Sequence, residues 1–318
     1  MQQSLSVKII IFLKENKISK NKNTDRMNTE KDLAKLIEQI TRQSFETEEE
    51  MNDFLKSMQE QSLNDLPERT DKKGRSEDLV YKAYEQPVSK GKKLVKQALE
   101  LDPDNADAYN YLASTEKNLD KAIEFFEKAI KAGENTLGKK FIREEKGYFW
   151  GIFKTRPYMR AKAGLADCLY VKKEIDKVIV ICEEMLELNP NDNQGMRYLL
   201  STLLLSKKDL SAFERFMKKT EDENCAVWNY NKALYQFKKS GQTTKSDKAL
   251  LKAYKSNEFV IDYMLGIKEM PDELPQYIGR GDEDEAVSYI NQAWPIWEKT
   301  EGVFHWLFEF KKKRLKVN

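Results

Sequence analysis

With 318 residues, 40% of them hydrophobic, the chain is long enough to bury one long core or two modest ones. Lys+Arg (55) and Asp+Glu (53) nearly cancel, so no global electrostatic pull toward nucleic acid or membrane follows. A charged fraction of 34% and a mean hydropathy of -0.73 suit an elongated array of helices, and 13 Gly and 8 Pro are too few to punctuate an all-β or Rossmann-like chain.

The first apolar run, Val7–Leu13, is short, lacks a small-residue cleavage site and is followed by a Lys/Asn-rich stretch to Arg26. It does not read as a secretory signal, and residues 1–26 are expected to be a disordered extension, with Met27 as a natural start. No run reaches the ~18 apolar residues of a membrane span. Residues 27–75 read as N-terminal helices and a polar linker. Glu30–Gln43 places Leu33, Leu36, Ile37 and Ile40 at helical spacing. Thr47–Gln61 opens with a capping box, Thr47 and Glu50, and turns Leu55 and Met58 inward. Ser62–Ser76 reads as linker, and Asp78–Glu85 starts the array.

Residues 76–265 repeat one frame: a small residue, a large apolar residue four later, and a small residue three after that. Gly91, Val95 and Ala98, then Pro103, give the first copy, and Ala122, Phe126 and Ala129 give the next. Val178, Cys182, Met185 and Pro190 repeat it with larger residues in the small slots, and Ala212 and Phe216 open another. Tyr109, Leu112-Ala113, Leu165-Ala166, Leu199-Leu200, Leu203, Trp228 and Tyr235 mark the preceding helices. Small residues let paired helices approach closely while large ones fill the next groove. Pro103 and Pro190 follow helices as stop signals, and Asp104-Asn105 and Asn191-Asp192 can cap the helices after them. The spacing resembles the tetratricopeptide repeat (TPR). It predicts an all-α, TPR-like right-handed α-solenoid of helical hairpins. An aromatic insertion at about 133–157, with Tyr148, Phe149, Trp150 and Phe153 around Gly147 and Gly151, should pack on it. In residues 266–318 a Pro/Gly connector, Met270–Ala286, leads to a helix at Asp284–Trp294. A last aromatic helix with Trp297, Trp306 and Phe310 then forms a C-terminal helical cap ahead of a basic tail.

The stretch SNEFVIDYMLGIKEMPDELPQYIGRGDEDEAVSYI and the later WEKTEGVFHWL resemble the suppression of tumorigenicity 7 family. Related bacterial TPR proteins are similar over YFWGIFKTRPYMRAKAGLADCLY and LELNPNDNQGMRYLL. The resemblance covers roughly Asp78–Leu307. Asn257 and Val260 follow the family pattern, whereas Glu258 and Ile261 stand where prolines would be. It implies a TPR-like fold and no known chemistry. Some relatives resemble carriers of a Cys/His zinc-binding module, for which three dispersed cysteines and one histidine offer no material here.

Arg156, Arg160 and Arg197, with Asn110, Asn229 and Tyr230, are expected on the concave faces of neighbouring hairpins, where they could hold a carboxylate or a peptide backbone. The competing expectation pairs Arg160 and Arg197 with acids such as Asp167 and Glu187. The Gly279–Ala286 acids lack calcium-loop spacing and read as helix caps, and His305 reads as a packed helix residue. Cys168, Cys182 and Cys225 form no CxxC pair and suit reduced, buried thiols in a cytoplasmic protein. No nucleophile, phosphate or dinucleotide motif appears, so no catalytic residue, metal or cofactor is expected. The expected function is a non-catalytic adaptor for a protein or peptide partner. Nucleic-acid binding through Lys-rich surface and the Lys311–Arg314 tail is the disfavoured alternative, with an uncharacterised hydrolase or metalloenzyme more remote.

Overall fold

The computed structural model describes residues 69–220, 223–275 and 277–315, with isolated positions 35, 47, 49, 50, 53 and 54 before them. The expectations for residues 1–26, Glu30–Gln43 and most of Thr47–Gln61 therefore lie outside the described residues. At Thr47 the hydroxyl accepts from the Glu50 N–H at 3.2 Å, one half of the capping box. All regular structure among the described residues is helical. None of these helices is long and apolar enough to cross a membrane. The chain divides into two compact units, Met1–Asn193 and Gln194–Asn318.

The first unit contains α1 (Lys72–Tyr84), α2 (Val88–Leu101), α3 (Ala106–Ser114), α4 (Leu119–Leu137), α5 (Lys139–Glu144), α6 (Arg156–Val171) and α7 (Ile175–Leu188). Helix α1 begins inside the stretch that reads as linker. Asp71 supplies its cap by accepting from Gly74 N at 2.9 Å, and buried Arg69 pairs with Glu77 and Asp78. Asn105 and Asn118 cap α3 and α4 through Ala108 N and Lys121 N, each at 3.0 Å. These side-chain oxygens satisfy amides that a helix start leaves without partners. Pro103 and Pro190 lie just past the ends of α2 and α7.

Each helix packs mainly on its chain neighbours: α1 on α2, α3 on α4, α4 on α6 and α6 on α7, while α1, α3 and α6 also touch in sequence. The repeating frame faces these contacts. Gly91, Val95 and Ala98 are buried, as are Ala122 and Ala129, and Val178, Cys182 and Met185. Three glycines set the distance of approach. A Cβ on Gly91 would overlap the Tyr111 hydroxyl, one on Gly164 would overlap the Phe126 ring, and one on Gly133 would lie 2.9 Å from the Tyr158 ring. Helices α4 and α6 thus exchange rings for glycines in both directions, Phe126 onto Gly164 and Tyr158 onto Gly133.

Helix α4 runs on through Gly133 to Leu137, so the aromatic segment begins later than its sequence suggests. After α5 the segment forms two 3-10 turns, Phe149–Gly151 and Phe153–Thr155. Phe149 is fully buried, with ring centroids 6.4 Å from Phe141 and 6.3 Å from Tyr158. Tyr148 points outward, and the Gly147 N–H donates to the Leu188 carbonyl at 3.0 Å, fastening the segment to the end of α7.

The second unit contains α8 (Met196–Leu204), α9 (Ser211–Lys219), α10 (Ala226–Ser240), α11 (Thr244–Ser256), α12 (Phe259–Met264), α13 (Glu283–Glu298) and α14 (Val303–Leu315). Asn191-Asp192 does not cap α8, which starts behind Gly195 in a left-handed conformation (φ 76°). In α9 Phe213, rather than Ala212, is the buried residue. Helix α11 carries the frame that the sequence disguised: Ser246, Leu250 and Ala253 are all buried at the same spacing. Helix α13 continues through Pro295, so Trp297 belongs to it and not to the last helix. Trp306 on α14 stacks on Phe237 at 4.6 Å, and its indole donates to Asp247 Oδ1 at 2.7 Å.

The ring-for-glycine contact between α4 and α6 gives a direct test. Gly164→Val is expected to lose about 1–3 kcal/mol through overpacking. Gly151→Ala, whose added carbon meets open space, is expected to stay within about 0.5 kcal/mol. Urea unfolding of both variants reads the difference.

Candidate functional site

In the first unit the polar side chains gather where α3 and α6 touch. Arg160 on α6 forks onto Asp107 on α3, with Nε donating to Oδ1 at 3.1 Å and Nη2 to Oδ2 at 2.6 Å. A planar guanidinium matched to a carboxylate in this way is both strong and directional. One turn along α3, Asn110 donates its amide to Asp107 Oδ1 at 3.0 Å and to the Pro157 carbonyl at 2.9 Å. Its own oxygen, Oδ1, is buried and has no hydrogen-bond partner among the described residues. A carboxamide oxygen only accepts, and with both amide hydrogens committed this acceptor is all the side chain has left to offer.

Arg156 starts α6 but turns away from this cluster. Its guanidinium lies 3.8 Å from the Phe153 ring centroid and 5.3 Å from that of Trp150, and Nε donates to the Trp150 carbonyl at 3.2 Å. It holds the 3-10 turns against the start of α6. Arg160 pairs with Asp107 rather than with Asp167, and Glu187 pairs with Lys146 at 2.6 Å.

The second unit treats its expected residues differently. Arg197 Nη1 donates to Glu223 Oε1 at 2.9 Å, and the Tyr198 hydroxyl donates to Glu223 Oε2 at 2.5 Å. Asn229 is buried, donates to Asn224 Oδ1 at 3.0 Å and, like Asn110, leaves its Oδ1 unpartnered among the described residues. Tyr230 is fully enclosed, and its hydroxyl donates to the Asn257 carbonyl at 2.8 Å. It is a core residue and presents no surface to a partner, because its ring packs on Tyr289 and Trp297 of α13.

The Gly279–Ala286 acids do cap a helix: Asp282 Oδ1 accepts from Glu285 N at 3.0 Å. Glu285 does more than its sequence suggested. It is buried, and its carboxylate accepts from Ala226 N at 2.9 Å, Gly281 N at 2.8 Å and Asn257 Nδ2 at 3.0 Å. The negative charge thereby sits at the start of α10 as well as of α13, where both helix dipoles favour it. A second buried chain runs from Trp297 Nε1 to the Tyr289 hydroxyl (2.8 Å) and on to Asn231 Oδ1 (3.0 Å). The Asn231 amide then donates to Ser201 Oγ (2.9 Å) and Thr202 Oγ1 (3.0 Å). Burial pushes the Tyr230 and Tyr289 phenols well above their ordinary range.

His305 is exposed on α14, not packed. Lys311 is spent on Asp262 at 2.7 Å, and Arg314 lies over the Phe310 ring, so half of the basic tail serves the fold. Among the described residues no three His, Cys, Asp or Glu side chains are grouped to hold a metal ion. The chain matches no family model, and no curated protein matches it significantly.

Two predictions follow from the buried groups. Glu285→Ala strands two backbone amides and an Asn side chain, and is expected to cost about 2–4 kcal/mol in urea unfolding. Glu283→Ala, at a half-exposed neighbour, is expected to cost about 1 kcal/mol or less. Burial pushes the Cys182 thiol up from 9.0 to about 12, with nearby acids adding to the effect. Its contribution to stability is whole below pH 9.0 and declines above it, where the unfolded chain ionises first. Iodoacetamide should therefore spare Cys182 in the folded protein at about pH 8 and label it once unfolded.

Proposed function

We propose that the chain is a tetratricopeptide-type helical-repeat protein, of the lineage that the suppression of tumorigenicity 7 resemblance implies, acting as a non-catalytic scaffold for a protein or peptide partner. Helices packed in successive pairs, with small residues at the crossings, support the repeat reading. The observation that carries the binding reading is Asn110. First helices α1, α3 and α6 touch side by side, and at the α3–α6 contact the enclosed Asn110 Oδ1 accepts from no described residue, so only a donor that reaches in between the two helices can pair with it. A partner's side-chain N–H inserted between the helices is a fitting donor, since an unmet buried acceptor gains more from pairing than a solvated one. Asp107 and Arg160 orient Asn110 rather than contact the partner, and Arg197 and Glu223 form an analogous clasp in the second unit. Tyr230 drops out of the binding set.

Affinity capture from the native host tests this reading. Wild-type protein should retain a partner that survives nuclease treatment and that Asn110→Ala loses while still folded by circular dichroism, at a somewhat lower melting temperature because the Pro157 carbonyl is stranded. Retained material that nuclease releases, or that falls away steeply between about 50 and 200 mM salt, would indicate phosphate binding instead. Equal capture by both proteins would remove Asn110 from the site.

A further inference from the structure

We propose that α14 pairs with α14 of a second copy of this chain, antiparallel across a two-fold axis, along the stripe Glu301, His305, Phe308 and Lys312. The stripe follows from spacing. Intervals of four, three and four residues place these positions on one side of a helix, the pattern of a helix–helix seam. The opposite side of α14 is spent on the fold: Val303, Trp306 and Leu307 are buried, and the helix packs on α12 and α13. His305, Phe308 and Lys312 are exposed, as is Glu301 just ahead of the helix. Phe308 keeps 53% of its surface in water. Trp294 of α13 is 37% exposed, and its ring lies 5.5 Å from that of Phe304, one turn before Phe308. The terminal unit of a helical array ordinarily turns a polar face to solvent; this one holds aromatic rings there.

Charge decides the occupant and its direction. Glu301 stands at one end of the stripe and Lys312 at the other, and neither is in an ion pair among the described residues. Around the turn into α14, Glu298 and Glu301 outnumber Lys299. At the far end Lys312 and Lys313 outnumber Glu309, and the residues after Leu315 add a lysine and no acidic side chain. A two-fold axis crossing the middle of α14 runs the two helices antiparallel. Glu301 of each copy then meets Lys312 of the other, and His305 meets Phe308, because both pairs share one midpoint. Parallel pairing would set Glu301 on Glu301 and Lys312 on Lys312. A foreign helix would need this order of acid, aromatic and base by coincidence, whereas a second copy has it by identity. The seam runs about 17 Å, so the pair is reversible and forms as concentration rises. The inference goes beyond the scaffold reading and uses no residue of the α3–α6 cluster.

Sedimentation velocity of the full chain over a concentration series tests this. Wild-type protein is expected to pass from a 37.3 kDa monomer toward a dimer as concentration rises. Phe308→Glu should abolish that shift. Glu301→Lys and Lys312→Glu should each weaken dimerisation about tenfold at low salt, since symmetry makes two attractive pairs repulsive at once. An equimolar mixture of these two variants should dimerise like wild type, because each copy carries the charges that the other now needs. High salt should narrow the differences among the charge variants. All three positions are exposed, so circular dichroism melts should match wild type. A monomer at every concentration would overturn the pairing, as would a dimer that persists in Phe308→Glu. Single charge variants that dimerise like wild type, or a mixture no stronger than its components, would overturn it too. So would a monomer that binds phosphatidylcholine vesicles through Phe308, which would assign the stripe to a lipid surface.

Discussion

In the first unit everything depends on how closely α4 and α6 approach, and two rings and two glycines set that distance. Phe126 lies on Gly164, and Tyr158 lies on Gly133. The early residue of α6 meets the late residue of α4, which fixes the two helices as antiparallel and fixes their register. A side chain at either glycine would displace a ring, and dispersion falls off so steeply that a small gap forfeits much of the contact. Because α4 and α6 are locked, α3 and α6 are brought together, and only there do Arg160, Asp107 and Asn110 meet. The open acceptor on Asn110 is thus a consequence of packing on another face of the same helices.

The second unit solves the same problem with buried polar groups. Glu285 and Asn257 bind the start of α10 to the start of α13, and Asn231 bridges α8 and α13 through Tyr289. Such networks are stringent, since a single lost member leaves several desolvated groups without partners. They also leave the α9–α10 contact to bulky rings. One unit holds its helices by close approach and the other by hydrogen bonds.

Much of the helical framework was legible in the sequence because it rests on local signals. The spacing of Gly91, Val95 and Ala98 and of Val178, Cys182 and Met185 marked buried stripes, and Pro103 and Pro190 marked helix ends. Asn105 read as a cap and is one. The misreadings have physical causes. Ser246 conceals a small slot behind a hydroxyl that bonds to the Gly241 and Thr243 carbonyls. The helix expected at Asp284–Trp294 runs on through Pro295, which α13 carries in its last turn, where Trp297 is held by Tyr289. Glu285 read as one of several helix-capping acids, because nothing local announces that Ala226, 59 residues away, will donate to it. Tyr230 and Arg160 were placed on the right helices, but one turns to the core and the other to Asp107. Orientation is set by tertiary partners that spacing does not contain.

Rings seated on glycines hold α4 against α6 in the first unit, and one measurement tests this directly. In a proton NMR spectrum the Gly164 Hα resonances should be shifted upfield by the Phe126 ring current and show cross-peaks to that ring's protons. Gly164 Hα resonances at random-coil positions, without a cross-peak to Phe126, would contradict it.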